Sequence, residues 1–337
     1  MPPKGWTLSK TVLAVLCVAA LAFTQDFQIR TRVDLVVVPV TVKGPGDRLI
    51  TGLTSTDFQV YENGSPQQLS AFSIDPVPLS AAVLLDTGLT AHSFSKVQKT
   101  LPSLSEAFSE FDEYAVYRFD TYVTQMADFT SDKTKLEAAL NKFKDFRASN
   151  PRVGGTPFAN PGPVINGKPI APSIDAAAAR LPAKDAKALH DALFIAAGDL
   201  AKRAPDRRRV IIVVSDGRAL GNEHSYEQVL ERIQTNNIQV FPIGMDAALL
   251  SRKLSALDNY AKSTGGEAFY LDSTDALERS YTRAAEVARN QYVLGYVSTN
   301  KAVGRLPVFR EITIKTPDPR YEVLARRGYY QFPPAKP

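Results

Sequence analysis

Two uninterrupted apolar runs stand out in the pattern of hydrophobic and polar positions along the chain. Residues 81–85 lead directly into Asp86, and residues 210–214 lead through a serine into Asp216. Runs without polar interruption are typical of strands buried on both faces of a parallel sheet, whereas half-exposed strands alternate. Because open α/β sheets place ligands at the carboxyl ends of their strands, the two aspartates are the first candidates for a functional site. Two carboxylates so placed, with hydroxyls close by, could hold a hard divalent cation.

Between residues 76 and 290 the pattern switches repeatedly between strand and helix periods. Helical spacing predicts helices at 94–111, 132–146, 186–203, 226–235, 253–263 and 275–290. Strand patterns lie between them at 114–126, 209–214, 238–243 and 267–271. Alternation of this kind predicts an α/β fold with a doubly wound, mostly parallel sheet. Residues 147–185, which are rich in proline and glycine and lack a sustained period, are predicted to be an insertion in that fold.

The two ends of the chain carry a different, β-rich pattern. Residues 30–75 contain β-branched runs separated by turn signals such as Asn63-Gly64, and residues 291–332 alternate like antiparallel strands. A segment of about 45 residues would bury too little apolar surface on its own. The sequence therefore predicts that both ends form one small antiparallel β domain into which residues 76–290 are inserted, since domain termini commonly lie close together.

Residues 1–22 have the layout of a signal peptide. Lys4 and Lys10 precede or flank an apolar stretch that ends in an Ala-Leu-Ala cleavage site at residues 20–22. The alternative, an uncleaved membrane anchor, would need about 20 apolar residues, and this stretch is shorter. We therefore expect a secreted or periplasmic protein with no stable membrane span after cleavage. The only cysteine, Cys17, lies in this segment, which leaves the mature chain without disulfides or thiol chemistry.

Charge and motifs argue against several classes of function. The formal net charge of +5 is mild and indicates no nucleic-acid partner, so the arginines at 207–209 are interpreted as the entry to a strand. The chain has neither a Gly-x-Ser-x-Gly elbow nor a phosphate-binding glycine loop, and its histidines, His92, His190 and His224, lack zinc-ligand spacing. We therefore do not expect an enzyme. A hydrolase that uses one of these histidines with a serine is kept as an alternative.

Four ordered blocks resemble those of the von Willebrand factor type A domain. They are residues 84–90, 117–123 with 129–132, 213–217 and 240–244. The similarity covers about residues 76–290. The flanking β segments, for example Tyr292-Val-Leu-Gly-Tyr, are similar to those of secreted von Willebrand A-related proteins of acidobacteria. The resemblance implies a secreted protein-binding or adhesion module.

The resemblance also implies a metal-ion-dependent adhesion site. Such a site binds magnesium or manganese through an Asp-x-Ser-x-Ser loop, a threonine and a late aspartate, and a carboxylate of the protein partner completes the metal shell. In this sequence Asp86 matches the first aspartate, Asp216 matches the late aspartate, and Thr90 matches the second serine with its hydroxyl kept. Thr156, within a Gly-Gly-Thr motif, is a fourth candidate ligand, although it lies well before the helix that it should directly precede.

Two positions depart from the family pattern. Gly88 stands where the first serine is expected, so one oxygen ligand is missing, for which a water could substitute. Lys187 stands at the start of the helical pattern 186–203, close to where the family threonine is expected, and its charge would oppose a bound cation. A metal-independent structural or assembly component of the cell envelope is therefore the alternative to metal-dependent adhesion. In that alternative Asp86 and Asp216 cap the turns or helices that follow their strands.

Overall fold

The computed structural model describes residues 35–146, 186–251, 255–301 and 306–333, together with two short strands between the first two ranges. The predicted signal peptide and Thr156 lie outside the described residues. The strands are β1 (Leu35–Lys43), β2 (Gln59–Glu62), β3 (Ser65–Gln67), β4 (Leu69–Ser73), β5 (Leu79–Asp86), β6 (Glu113–Phe119), β7 (Val123–Thr130), β8 (Val164–Ile165), β9 (Lys168–Pro169), β10 (Arg208–Ser215), β11 (Ile238–Gly244), β12 (Phe269–Tyr270), β13 (Tyr292–Val297), β14 (Val308–Lys315), β15 (Glu322–Ala325) and β16 (Gly328–Gln331). The α-helices are α1 (Ala91–Glu106), α2 (Lys133–Lys144), α3 (Leu189–Leu200), α4 (Tyr226–Thr235), α5 (Ala247–Ser251), α6 (Ala256–Thr264) and α7 (Thr274–Arg289).

A six-stranded sheet with the order β12-β11-β10-β5-β6-β7 carries the candidate site. Its neighbouring strands run parallel except for β6 and β7, which are antiparallel. Every residue of β5 and of β11 is buried, as an unbroken apolar pattern predicts for strands that are covered on both faces. The predicted α/β fold with a mostly parallel sheet is confirmed.

Helices cover both faces of this sheet. Ala81, Val83 and Leu85 of β5 face a core formed with α1, α2 and α7, whereas Ala82 and Leu84 face a second core formed with α3, α4 and α6. Successive side chains of a strand point to opposite faces, so β5 contributes to both cores and its carboxyl end is held from both sides. None of the helices in the described ranges is both long and apolar enough to cross a membrane.

Strands from the two ends of the chain pair in two antiparallel sheets, ordered β15-β1-β13-β4 and β16-β14-β2-β3. Val38 of β1 lies opposite Leu294 of β13, and Val60 of β2 lies opposite Ile314 of β14. Val38, Val60 and Leu294 belong to a third apolar core between these sheets. Either end of the chain alone would leave backbone N–H and C=O groups unpaired along a strand edge. The pairing of the two ends satisfies these groups. These sheets are the antiparallel part of the predicted fold.

One helix begins later than its hydrophobic pattern predicts, and the difference shapes the candidate site. Helical spacing extends over 186–203, but α3 begins at Leu189. Lys187 instead forms an isolated antiparallel bridge with Leu220, which lies in the loop after β10. A long-range backbone contact therefore takes the place of the first helical turn and directs the Lys187 side chain.

Candidate functional site

The two aspartates lie side by side at the carboxyl edge of the central sheet. Asp86 is the last residue of β5, and Asp216 directly follows β10. These strands are parallel neighbours, with Leu85 paired to Val214, so their carboxyl ends meet at one edge. Asp86 is 1% exposed and Asp216 is 4% exposed. The structure thus brings together two of the four residues singled out in the sequence.

A buried lysine lies between the two carboxylates. Lys187 Nζ donates to Oδ1 of Asp86 at 2.8 Å and to Oδ2 at 2.9 Å. The same nitrogen lies 3.4 Å from Oδ2 of Asp216, and the lysine side chain is only 7% exposed. We refer to Asp86, Lys187 and Asp216 as the edge cluster. In this cluster the Lys187 ammonium group contacts both carboxylates at once.

The backbone around Lys187 is fixed by neighbouring loops. Its amide N–H donates to the carbonyl of Leu220 at 2.8 Å, and its carbonyl accepts from the Leu220 N–H at 3.2 Å. The Asn222 side chain also donates to the Lys187 carbonyl, at 2.9 Å. The next residue, Ala188, donates to the carbonyl of Asp120 at 2.7 Å. The backbone at Lys187 is therefore anchored to the loops after β10 and β6, and its buried side chain contacts the two carboxylates.

Asp86 is surrounded by hydrogen-bond donors. Besides the ammonium, the Ser215 hydroxyl donates to its Oδ2 at 2.9 Å and the Gly88 N–H donates to its Oδ1 at 2.8 Å. Burial raises the pKa of Asp86 above that of a free aspartate, the Lys187 ammonium lowers it, and the Asp216 carboxylate raises it further. Because each of these donors bonds to a lone pair of the charged form, we describe Asp86 as a carboxylate.

Asp216 has a second cation as its partner. The Arg218 guanidinium donates to Oδ2 of Asp216 at 2.8 Å, and the Arg218 backbone N–H donates to Oδ1 at 3.0 Å. Asp86 and Asp216 carry two negative charges, and Lys187 and Arg218 carry two positive charges. The formal charges of these four side chains therefore balance within the chain itself.

Comparison with known proteins supports the same fold. Residues 173–283 match the family model of the von Willebrand factor type A domain. The match includes Lys187 and Asp216 and begins after Asp86. No curated protein matches the sequence.

Several solved structures align with the chain at low sequence identity. An aerotolerance-related membrane protein from Bacteroides fragilis is 14% identical with a TM-score of 0.41, covering 62% of this chain and 98% of that one. The protein BatB from Bacteroides thetaiotaomicron is 15% identical with a TM-score of 0.40, covering 62% of this chain and 99% of that one. Proximal thread matrix protein 1 from the mussel byssus, with a zinc-occupied MIDAS motif, is 14% identical with a TM-score of 0.43. That alignment covers 68% of this chain and 50% of the mussel protein.

The von Willebrand A fold raises the question whether these residues fit a divalent cation. Lys187 Nζ lies within 3.4 Å of three oxygens from Asp86 and Asp216, the two aspartates predicted to be ligands. An ammonium and a metal ion cannot share that position, because their charges repel and magnesium needs oxygens at about 2.1 Å. No group of three or more His, Cys, Asp or Glu side chains in the described part of the chain could hold a metal ion. The edge cluster as folded does not fit a divalent cation.

The absence of a side chain at Gly88 leaves room for the Lys187 ammonium group. A Cβ atom added at Gly88 would lie 2.6 Å from Lys187 Nζ and 2.9 Å from its Cε. The serine that the von Willebrand A pattern expects at this position would therefore overlap the ammonium group. The glycine at position 88 and the lysine at position 187 are therefore sterically linked.

Thr90 is engaged with a different partner. Its hydroxyl donates to Oδ1 of Asp246 at 3.0 Å, and its backbone N–H donates to Oδ2 at 2.9 Å. The Thr90 hydroxyl also accepts from the Ser93 N–H at 3.3 Å and so caps α1. The Ser93 hydroxyl adds a bond of 2.5 Å to Asp246. Sequence reasoning missed Asp246 because it lies in the loop after β11, far from Thr90 along the chain.

Proposed function

We propose that the chain is a secreted, metal-independent adhesion or assembly module that binds a protein through the loops at the carboxyl edge of its von Willebrand A-like domain. The domain match supports a module of the adhesion or assembly type. The observation that supports this surface is a set of exposed apolar side chains in the segments that follow three strands of the sheet, namely two loops and helix α5. Tyr122 is 78% exposed, Leu220 is 47% exposed and Leu250 is 93% exposed. They follow β6, β10 and β11 respectively.

The chemistry of this edge is that of a protein-binding surface. Exposed apolar groups gathered on one side of a domain mark interaction sites more often than isolated ones do. Tyrosine and arginine are enriched at protein interfaces, and Arg218, whose side chain is 45% exposed, pairs with Asp216 in the same loop as Leu220. Because Lys187 fills the position of the cation, the proposed contact is made by side chains and not by a carboxylate on a bridging metal. The module would act by binding, without catalytic turnover.

Site-specific photocrosslinking in the native host tests this proposal. The crosslinker p-benzoylphenylalanine is placed at Tyr122 and, in a second strain, at Leu220. The matched control is Phe111, which is 68% exposed but precedes β6 and so lies at the opposite edge of the sheet. We expect one discrete crosslinked protein from positions 122 and 220, unchanged by EDTA. Crosslinks from position 111 alone, or crosslinks that vanish with EDTA, would contradict the proposal.

Secretion is proposed on the basis of the N-terminal pattern. Export would remove residues 1–22, and the mature chain would begin at Phe23. The measurement is the intact mass of the protein recovered from the periplasm or medium. A full-length mass in the membrane fraction would instead indicate an uncleaved anchor.

A further inference from the structure

We propose that Lys187 is a covalently tethered replacement for the divalent cation of the von Willebrand A fold, and that Gly88 is the substitution that makes room for it. This inference rests on the geometry of the edge cluster and not on the partner surface proposed above. The partner surface can therefore be wrong while this inference holds, whereas the metal independence of the proposed contact depends on this inference. It predicts that the loops at the carboxyl edge are held together in the same way at any concentration of magnesium or manganese.

The balance of charge supports the replacement of the cation by Lys187. A divalent cation between Asp86 and Asp216 would supply two positive charges to two carboxylates. Here Lys187 supplies one of them, 2.8 Å from Asp86, and Arg218 supplies the other, 2.8 Å from Asp216. Two carboxylates at 1% and 4% exposure need such compensation, because burial and mutual repulsion both disfavour their charged forms.

Contact geometry also supports the replacement. The Lys187 ammonium group donates hydrogen bonds to both carboxylate oxygens of Asp86 and forms an ion pair with Oδ2 of Asp216 at 3.4 Å. These aspartates come from the ends of two different strands, β5 and β10. The ammonium group therefore links the same two strand ends that a metal ion would link.

Three features of the residues around the ammonium group also support the replacement. Gly88 lacks the side chain that would overlap Nζ. The hydroxyl of Thr90 is bonded to Asp246 and caps α1. The Lys187 backbone is fixed on both sides of its peptide by Leu220. Each of these features removes a metal ligand or fixes the lysine, and a lysine that had merely been tolerated near a working metal site would require none of them.

Manganese binding to the mature chain tests the proposal. Calorimetry and thermal melts compare the wild type with the double variant Gly88→Ser/Lys187→Thr, which returns two hydroxyls and removes the tethered charge. The matched control is Lys202→Thr, because Lys202 is an exposed lysine that also pairs with an aspartate, Asp199. We expect no manganese binding and equal melting temperatures in manganese and in EDTA for the wild type and the control. The double variant should bind one manganese ion and should melt higher in manganese than in EDTA.

Two results would overturn the proposal. One is manganese binding by the wild type that disappears in Asp216→Asn. The other is a folded double variant that binds no manganese.

If the double variant does not fold, a second measurement on the wild type tests the proposal. In the wild type, acetic anhydride should acetylate Lys187 about 100-fold more slowly than Lys202, because reaction requires local opening of the buried pair. Manganese should leave that ratio unchanged. Acetylation of Lys187 at the rate of Lys202, or acceleration by manganese, would show that the ammonium group does not stay between the carboxylates and would refute the proposal.

Discussion

Two fully buried carboxylates in this molecule are stabilised in different ways. Glu62, in the paired β sheets, is 0% exposed. It accepts hydrogen bonds from the hydroxyls of Tyr296 at 2.8 Å, Ser298 at 2.6 Å and Tyr329 at 3.1 Å, and from the Asn300 amide at 2.8 Å. Asp86 is almost as deeply buried, but its partners include a charged group, the ammonium group of Lys187 at 2.8 Å.

The difference lies in the number of carboxylates that share each site. Burial alone would raise the pKa of Glu62, yet four hydrogen bonds from neutral groups prevail and lower it. At the edge cluster a second carboxylate, Asp216, adds repulsion that raises the pKa of Asp86. Neutral donors therefore suffice for one buried carboxylate, whereas a pair requires a positive charge. At the edge cluster that charge comes from the side chains of Lys187 and Arg218.

Removal of the ammonium should have the largest effect. Lys187→Met leaves two adjacent buried carboxylates, and breaking a buried ion pair from one side costs about 3–5 kcal/mol. The measurement is the free energy of unfolding from urea titrations. Lys202→Met is the control, and a surface substitution of this kind should change stability by less than about 0.5 kcal/mol. Equal losses in the two variants would show that the edge cluster contributes no more than a surface pair.

Removal of the Glu62 charge should cost less stability than removal of the Lys187 ammonium group. Glu62→Gln keeps the size of the side chain but replaces one acceptor oxygen with an NH2 group that faces the donors from Ser298 and Asn300. Unmade hydrogen bonds of buried groups cost about 1–3 kcal/mol. The same urea titration applies, with Glu311→Gln on the exposed face of β14 as the control. A loss larger than that of Lys187→Met would reverse the comparison between the two sites.

A serine at position 88 should also destabilise the fold, by an amount that depends on the lysine. Gly88→Ser places atoms against Lys187 Nζ, and overpacking of this kind costs about 1–3 kcal/mol. In the Lys187→Met background the overlap with the ammonium is gone, so the cost should fall. A double-mutant cycle measures this coupling. Additive effects would mean that Gly88 and Lys187 are unrelated substitutions.

Acid should destabilise the protein through carboxylates such as Glu62 and Asp112. Burial would raise the pKa of Asp112, but hydrogen bonds from the Leu79 and Ser109 amides and from Arg289 prevail and lower it. With the folded pKa below the unfolded one, the unfolded state binds more protons, so this stability is present above about pH 4 and is lost as pH falls through the folded value.

The measurement for this last effect is the urea midpoint between neutral pH and pH 3. Asp112→Asn should show a shallower decline than the wild type, because it lacks the carboxyl group that takes up a proton on unfolding. Stability that increases on acidification would contradict this assignment.

Much of the fold follows from local pattern, and most of the site does not. The run 81–85 predicted a doubly buried strand, and two such runs placed Asp86 and Asp216 at the ends of neighbouring strands. The sequence also indicated that Lys187 would oppose a cation. It could not show that the ammonium group takes the position of the cation, because helical spacing extended through residue 187. The bridge to Leu220 and the bonds from Thr90 to Asp246 join distant parts of the chain, and no local period encodes them.

Crystals of the mature protein grown in millimolar manganese, with diffraction data collected at the manganese absorption edge, would test whether Lys187 stands in place of the metal. We predict continuous density for Lys187 between Asp86 and Asp216, with no anomalous peak at that position. An anomalous peak about 2.1 Å from a carboxylate oxygen of Asp86, with the lysine turned away, would contradict the interpretation.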